Sequence, residues 1–236
     1  SSFLFYTKSE NIYFQINDYD GYSTIMLKKG LIQFNANDNL GADLSFSKSL
    51  GALKKINDSK KEYLVLIQLG LNANQLKEYS KAINYFNQAL TIAIDNNYLD
   101  NFQESVCLSN IGLVYQNLKN HKKAISFFNK SLNDNKLKQD FPEAYSNITD
   151  NLAYSKLQIN ELNGLPNLFF ESLNIRKKLN DNSAIIITYI HLSEYFKKTG
   201  ENNEALKYAN LALETAKNSK NPIDLLFSLK QASLVD

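Results

Sequence analysis

Cysteine is nearly absent from the sequence, and its scarcity excludes two kinds of structure. Cys107 is the single cysteine, so the chain can form no internal disulfide and hold no cysteine-based metal cluster. It lies between Val106 and Leu108 in a helical pattern, which favours a buried packing residue over a nucleophile. One cysteine does not decide the compartment. A cytoplasmic location is favoured, and a periplasmic one stays open.

Long apolar runs are also missing. No window approaches the roughly 18 consecutive apolar residues of a membrane-spanning helix, so we expect no membrane insertion of this segment. The start, Ser1 to Tyr6, lacks the charged beginning and the long apolar run of a signal peptide. It also lacks an initiator methionine, so we expect the chain to be a fragment of a longer protein.

Positive charge is carried almost entirely by lysine. Arg176 is the only arginine among 26 basic residues, and the formal net charge is +2. Guanidinium groups are the usual choice for bidentate contacts to guanine and phosphate. This composition therefore argues against a nucleic-acid partner.

Helix-breaking residues are few, with three prolines and eight glycines in 236 residues. Apolar residues recur at spacings of three and four along nearly the whole chain, which is the period of an amphipathic helix. The sequence therefore predicts an all-α fold.

Four columns of residues recur in phase, with 40 to 42 residues between successive members. The first column holds the small residues Gly30, Gly70, Gly112, Ala153 and Ser193. Twelve positions later come Ala42, Ala82, Ala124, Leu165 and Ala205. Sixteen positions later come Phe46, Phe86, Phe128, Phe169 and Ala209. Nineteen positions later come Ser49, Ala89, Ser131, Ser172 and Ala212. Columns in phase over five units indicate an internal repeat.

Each unit has the form of a hairpin of two helices. Small residues on both helices let the backbones pack at the short end of the roughly 8–10 Å range, and the phenylalanine fills the space between layers. We predict helix pairs at residues 23–60, 63–99, 103–139, 143–180 and 184–220. Since each layer buries its apolar face only against its neighbours, we predict a single domain over residues 1–236.

The repeat resembles the tetratricopeptide repeat. The resemblance rests on runs such as Leu66-x-x-Leu69-Gly70 followed by Tyr79-x-Lys81-Ala82-x-x-x-Phe86. The period exceeds the family's usual 34 residues, so the chain is similar to the long-helix members. The resemblance implies an α-solenoid, a superhelix of antiparallel helix pairs with about five repeats and flanking helices. It also implies a protein-interaction scaffold without a cofactor and without catalytic activity.

Unit four departs from the pattern. Leu165 stands where a small residue is expected, between Gly164 and Pro166. Proline is tolerated in a first helical turn, so we place Pro166 near the start of the second helix of this unit. We expect looser packing there.

Both ends of the chain carry further helical patterns. Residues 3–17 are predicted to be a helix; the run Glu10 to Gln15 also resembles a viral-protease recognition sequence, but Ile16 suits that protease poorly. Residues 222–236 repeat the pattern of a first helix without a second one. We expect either that the natural protein continues or that another chain covers this helix, with self-association as one possibility.

Chemically active residues are sparse. The sequence has two histidines, and neither has a partner at metal-ligand spacing. His121 takes the position of Tyr79 in the preceding unit, so we interpret it as a surface residue of the turn between paired helices. The acidic residues are spread over helix surfaces, without a pair that the repeat would bring together. The sequence predicts no catalytic site, no metal site and no cofactor.

In tetratricopeptide stacks the first helices line a concave groove, and the resemblance implies which residues face it. These residues are Gln68, Leu71, Asn74, Asn110, Leu113, Asn117, Asn151, Tyr154, Gln158 and His191. Gln68, Asn110 and Asn151 each lie two residues before the small residue of the first column. An amide at this position offers a donor and an acceptor to a peptide main chain. Because the chain contains 32 asparagines, chance placement is the alternative interpretation.

Two hypotheses of function follow. The first is a scaffold that binds a protein or peptide ligand of unknown identity in the groove. The second is a sensory or regulatory segment of a larger bacterial signalling protein, such as a histidine kinase or a transcription regulator. The second hypothesis requires an effector module outside this segment, and the first does not.

Overall fold

The computed structural model describes residues 2–95, 101–134, 136–219 and 228. This described part of the chain contains twelve helices and no strand. The helices are α1 (Ser2–Gln15), α2 (Tyr19–Asn35), α3 (Asn39–Ile56), α4 (Ser59–Gln75), α5 (Tyr79–Asp95), α6 (Asn101–Asn117), α7 (His121–Ser131), α8 (Leu137–Asp140), α9 (Pro142–Gln158), α10 (Leu165–Leu179), α11 (Asn182–Thr199) and α12 (Asn202–Ser219). The predicted all-α class, an α-solenoid of helix pairs, is confirmed.

Two-residue signals end one helix and begin the next. At the α2–α3 connection Asn37 adopts a left-handed backbone with φ 60°, and Asp38 then accepts a hydrogen bond from the Gly41 N–H at 3.0 Å. Asparagine tolerates the left-handed region, and aspartate is a preferred N-cap because its carboxylate satisfies a free N–H of the first turn. The same signal occurs at Asn57–Asp58 and Asn180–Asp181, so several of the asparagines serve the turns.

The chain forms two compact units, unit 1 (Ser1–Leu118) and unit 2 (Lys119–Asp236). Within unit 1 the predicted small-residue column packs as expected. A Cβ atom built on Gly30 would lie 2.5 Å from the Phe46 ring, and one built on Gly70 would lie 2.4 Å from the Phe86 ring. Glycine is therefore required at both positions, because the two phenylalanine rings are fully buried against the helix backbone.

The last column also has a specific contact within each unit. In unit 1 the Ser49 hydroxyl donates to the Ser23 carbonyl at 2.8 Å, and in unit 2 the Ser172 hydroxyl donates to the Ser146 carbonyl at 2.9 Å. Both bonds are buried and join the second helix of a pair to the fifth residue of its first helix. A small polar residue here therefore brings the helices close and satisfies a carbonyl.

The expected start of the second helix in unit four is confirmed. Gly164 has φ 73°, and α10 begins at Leu165 with Pro166 in its first turn. Leu165 and Phe169 are both fully buried in the core of unit 2.

The predicted third pair, residues 103–139, is wrong at its C-terminal end. α7 stops at Ser131, and α8 is a separate single turn. The Asp134 carboxylate accepts a hydrogen bond from the Lys136 N–H at 2.9 Å, which offers the backbone an alternative to the helix. Polar side chains that compete for backbone N–H groups therefore shorten this helix.

The N-terminal helix predicted at residues 3–17 is present as α1. Glu10 of α1 binds Lys29 at 2.9 Å and Lys48 at 2.7 Å, which ties α1 to α2 and α3. No helix of the described residues is long and apolar enough to cross a membrane. The helix predicted at residues 222–236 lies outside the described residues apart from Ser228.

Candidate functional site

All ten residues predicted to face the groove lie on first helices, and each has a partly exposed side chain. Unit 1 carries Gln68, Leu71 and Asn74 on α4, and Asn110, Leu113 and Asn117 on α6. Unit 2 carries Asn151, Tyr154 and Gln158 on α9, and His191 on α11. Their participation in binding stays a prediction.

In unit 1 amide side chains form hydrogen bonds near the C-terminal ends of α4 and α6. Asn117 donates its Nδ2 to Asn74 Oδ1 at 3.0 Å, and Gln75 donates its Nε2 to Asn37 Oδ1 at 3.2 Å. These neutral pairs orient amides along one end of the α4 and α6 surfaces. We call the surface formed by Gln68, Asn74, Asn110 and Asn117 the amide face.

Gln68 and Asn110 occupy the centre of the amide face and differ from the paired amides. Both are half-exposed, and neither side chain has a hydrogen-bond partner among the residues that the structure describes. Each lies two residues before the small-column glycine of its helix, α4 or α6. Their donors and acceptors are therefore available to a ligand.

Unit 2 has a buried ionic group at a first-helix position that Ile67 and Ser109 occupy in unit 1. Asp150 of α9 is fully buried, and its carboxylate lies 2.7 Å from His191 Nδ1 of α11 and 3.4 Å from Arg176 Nη1 of α10. We call Asn147, Asp150, Arg176, Thr188 and His191 the ionic cluster. It joins three successive helices of unit 2 through side chains.

Arg176 is the centre of the ionic cluster. Its Nη1 donates to the Thr188 hydroxyl at 2.5 Å and to the Ala184 carbonyl at 2.9 Å, and its Nη2 donates to Asn147 Oδ1 at 2.9 Å. The residue is only 4% exposed, so these bonds replace hydration of the guanidinium group.

The charge of Asp150 is maintained by its neighbours. Burial acts most strongly and by itself would raise the pKa of this carboxyl, but His191 and then Arg176 outweigh burial and lower the pKa below its ordinary value. Asp150 is therefore an anion at neutral pH, and it holds the imidazole of His191 in a fixed orientation.

His191 also has an aromatic neighbour. Its ring stacks on Tyr154 with centroids 4.4 Å apart and an interplanar angle of 26°. Nearby, Gln158 donates its Nε2 to Glu194 Oε1 at 2.6 Å, and Lys198 donates to the Leu157 carbonyl at 2.7 Å. The first helices of unit 2 thus present an aromatic and charged surface.

Two predictions about titratable residues are wrong. Asp150 is not on a helix surface, because the repeat brings it together with Arg176 and His191 in the interior. His121 is not a surface turn residue: it is the first residue of α7, only 9% exposed, with its ring edge against Tyr154. Burial, and then the charge of Lys119, lowers the pKa of His121.

A sequence signal for the ionic cluster exists. Arg176 lies four residues after the last column, where Leu53, Ala93 and Ala216 are buried apolar residues. An arginine at an apolar core position requires a buried anion nearby, and Asp150 is the candidate in the same unit.

Cys107 is buried, as predicted. Burial raises the pKa of its thiol to about 12, so the thiol stays protonated at neutral pH. Within the described ranges, no group of three or more histidine, cysteine, aspartate or glutamate side chains could hold a metal ion.

The helix pairs, phased columns and polar first-helix surfaces define a helical-repeat protein. Residues 62–136 match the family profile described as tetratricopeptide repeat. The helix pairs continue beyond the matched residues, so the chain is a helical-repeat protein with tetratricopeptide repeats over residues 62–136.

Several solved structures share this fold at low sequence identity. BtubC (BKLC) from P. vanneervenii has 17% identity and a TM-score of 0.69, with 82% of this chain and 81% of that chain covered. Aspartyl phosphate phosphatase F from Bacillus subtilis has 17% identity and a TM-score of 0.76, with 90% and 55% covered. The Rap conjugation gene regulator of plasmid pLS20, in complex with the Phr* peptide, has 16% identity and a TM-score of 0.66, with 99% and 67% covered.

At such identities the likeness shows the fold alone. The chain spans little more than half the length of the phosphatase. A search of curated proteins finds no match to this sequence.

Proposed function

We propose that this chain binds an extended peptide segment of a partner protein on the first-helix surfaces of its repeats. In unit 1 the segment lies on the amide face, where Gln68 and Asn110 hydrogen-bond its main chain. Leu71 and Leu113, one residue after the small column, contact its apolar side chains. Asn74 and Asn117 bound the surface at one end.

One observation carries this proposal. Gln68 and Asn110 are half-exposed amides at equivalent positions of α4 and α6, and neither has a hydrogen-bond partner in the described part of the chain. Each amide offers both a donor and an acceptor, which matches the alternating N–H and C=O groups of an extended main chain. Such contacts give affinity without requiring a particular ligand side chain.

Unit 2 has its own part in the proposal. Asn151, Tyr154, Gln158 and His191 are partly exposed on α9 and α11. The stacked Tyr154 and His191 rings offer a rigid contact surface for a ligand side chain. A structure of similar fold in complex with the Phr* peptide supports peptide binding as the kind of interaction.

A selection from a library of random linear peptides tests the proposal. Peptides that bind the wild-type chain are compared on Gln68→Ala/Asn110→Ala by titration calorimetry. Loss of two hydrogen bonds at about 0.5–1.5 kcal/mol each predicts affinity that is weaker by about tenfold.

The matched control is Asn84→Ala, which removes an exposed amide from α5, a second helix. We expect Asn84→Ala to bind the selected peptides like the wild type. Equal affinity of the wild type and the Gln68→Ala/Asn110→Ala variant would contradict the assignment of the amide face.

We further propose that the chain acts by binding and not by catalysis. The thiolate is the nucleophilic form of cysteine, and burial keeps the Cys107 thiol protonated. The ionic cluster is used for packing, because Asp150 and Arg176 are closed off from solvent.

A regulatory segment of a larger bacterial signalling protein is the second candidate. The likeness to a conjugation gene regulator, and coverage of little more than half of a bacterial phosphatase, favour it. The full gene sequence tests this candidate. A kinase or DNA-binding module beside the repeats would support it, and a gene that encodes repeats alone would exclude it.

A further inference from the structure

Unit 1 has a second surface feature, separate from the amide face. A cavity of about 250 Å³ opens between α1, α2 and α3. The rings of Phe14, Tyr19 and Tyr22 and the methyl group of Ala52 line it. We call it the α1–α3 pocket. Its lining is mostly apolar, and its volume suits one large side chain.

Gly51 lines the α1–α3 pocket and has no packing reason to be glycine. It lies in the interior of α3, where glycine is less favourable than alanine. A Cβ atom built on Gly51 meets nothing within 4 Å, in contrast to Gly30 and Gly70, where it would enter a phenylalanine ring. The absence of a side chain at Gly51 keeps the pocket open.

Charge at the mouth of the pocket restricts its ligand. Lys48 and Lys55 line the pocket together with the aromatic rings, and no acidic residue does. Glu10 binds Lys48 but is shared with Lys29, so these three residues retain a net positive charge. Lys55 lies 4.3 Å from the Tyr19 ring centroid, and it has no carboxylate partner within the described ranges. A cationic ligand is disfavoured, although three aromatic rings alone would suit one.

We propose that the α1–α3 pocket binds a large apolar side chain of an acidic segment in a partner protein. The side chain enters between Phe14, Tyr22 and Gly51, and carboxylates beside it in the ligand contact Lys48 and Lys55. The apolar lining supplies affinity by desolvation, and the two lysines select acidic flanks. The occupant is thus an acidic peptide with an aromatic or large aliphatic anchor.

The absence of tryptophan from the chain makes a direct assay possible. The probe is a synthetic peptide with one central tryptophan and two aspartates on each side of it. Its binding is measured by the fluorescence of that tryptophan. We expect a blue shift on addition of the wild-type chain, because the indole leaves water. Gly51→Leu starts from a Cβ that meets nothing within 4 Å, places a side chain in the pocket, and is expected to weaken probe binding at least tenfold, about the effect of excluding one anchor.

The variants keep folding and binding apart. Gly51→Leu should keep the helical circular dichroism of the wild type and have an unfolding midpoint at least as high, because leucine favours the helix over glycine. Lys55→Gln is expected to lower the affinity for the probe by about threefold and to reduce the salt dependence of binding. Lys54→Gln, on the same helix but outside the lining, should bind like the wild type.

Three outcomes would overturn the proposal. The first is full affinity in Gly51→Leu, and the second is no probe binding by the wild type. The third is equal binding of a neutral probe in which asparagines replace the aspartates. Unchanged probe affinity in Gln68→Ala/Asn110→Ala would support a site distinct from the amide face.

Discussion

The first helices of units 1 and 2 use equivalent positions differently. Three residues before the small column, unit 1 has the uncharged residues Leu27, Ile67 and Ser109, whereas Asp150 of unit 2 places a buried carboxylate at this position. The compensating Arg176 likewise stands at a position where the other repeats have uncharged residues, which are Leu53, Ala93, Asn135 and Ala216. The repeat fixes where the helices lie but not the chemistry between them. A buried charge in one helix therefore requires a compensating charge of opposite sign in another.

The largest effect is expected from breaking the ionic cluster of unit 2. Asp150→Ala leaves Arg176 buried without its counter-ion and should reduce the free energy of unfolding by about 3–5 kcal/mol, measured by urea denaturation. Asp150→Ile combined with Arg176→Leu installs apolar residues like Ile67 and Leu53 at the equivalent positions of unit 1 and should recover most of that loss.

The control for this prediction lies in unit 1. Asp43 binds Lys81 at 3.1 Å across α3 and α5, and both side chains are partly exposed. Asp43→Ala should cost less than about 1 kcal/mol. Similar losses for Asp43→Ala and Asp150→Ala would remove the distinction between the two units.

The second effect concerns the glycines of unit 1. Gly70→Ala places a Cβ atom 2.4 Å from the buried Phe86 ring and should cost about 1–3 kcal/mol through overpacking. Gly51→Ala should stabilise the chain by about 0.5–1 kcal/mol, because it meets no atom and favours the helix. Thermal and urea unfolding of the two variants measure this difference. Opposite signs are required, and a loss in both would refute the packing role of the small column.

The third effect is a pH dependence. Asp150 has a lower pKa in the folded chain than its ordinary value of 3.8, since His191 and Arg176 outweigh the effect of burial. Its contribution to stability is therefore present above pH 3.8 and is lost as the pH falls through the lower folded value. Urea midpoints between neutral pH and the acid limit should fall more steeply for the wild type than for Asp150→Asn. Parallel curves would contradict this.

The smallest effect is expected at the amide face. Asn74→Ala and Asn117→Ala remove one exposed hydrogen bond, and each should change the free energy of unfolding by at most about 0.5 kcal/mol. A double-mutant cycle in urea measures the coupling of the pair. A coupling above about 1 kcal/mol would mean that the amide face is structural, which would weaken its assignment to ligand binding.

The helix pairs could be predicted from the sequence because the four columns report packing that every repeat shares. The close approach of paired helices at Gly30 and Gly70 could be predicted from spacing alone, whereas the contacts of these glycines with Phe46 and Phe86 could not. Placement of the ten candidate residues on partly exposed first-helix surfaces followed from the same frame, although their role in binding is still a prediction.

Other features could not be predicted because they occur once. The ionic cluster depends on three side chains from different helices. An alignment of recurring positions gives the place of each residue in its own repeat but does not show that the three side chains meet. His121 was misassigned because the position it shares with Tyr79 does not fix its burial. The early end of α7 depends on local competition by the Asp134 side chain, which periodicity does not detect. The α1–α3 pocket could not be predicted because a cavity does not change the periodicity of the apolar residues around it.

The left-handed asparagine followed by an aspartate cap also affects how the chain reaches its structure. Such a connection lets a helix meet its partner within about 40 residues, so many native contacts are local in sequence. Local contacts favour fast folding, because little loop entropy is lost before they form. During synthesis the stack can therefore grow repeat by repeat, because each new helix pair docks on the pairs already made.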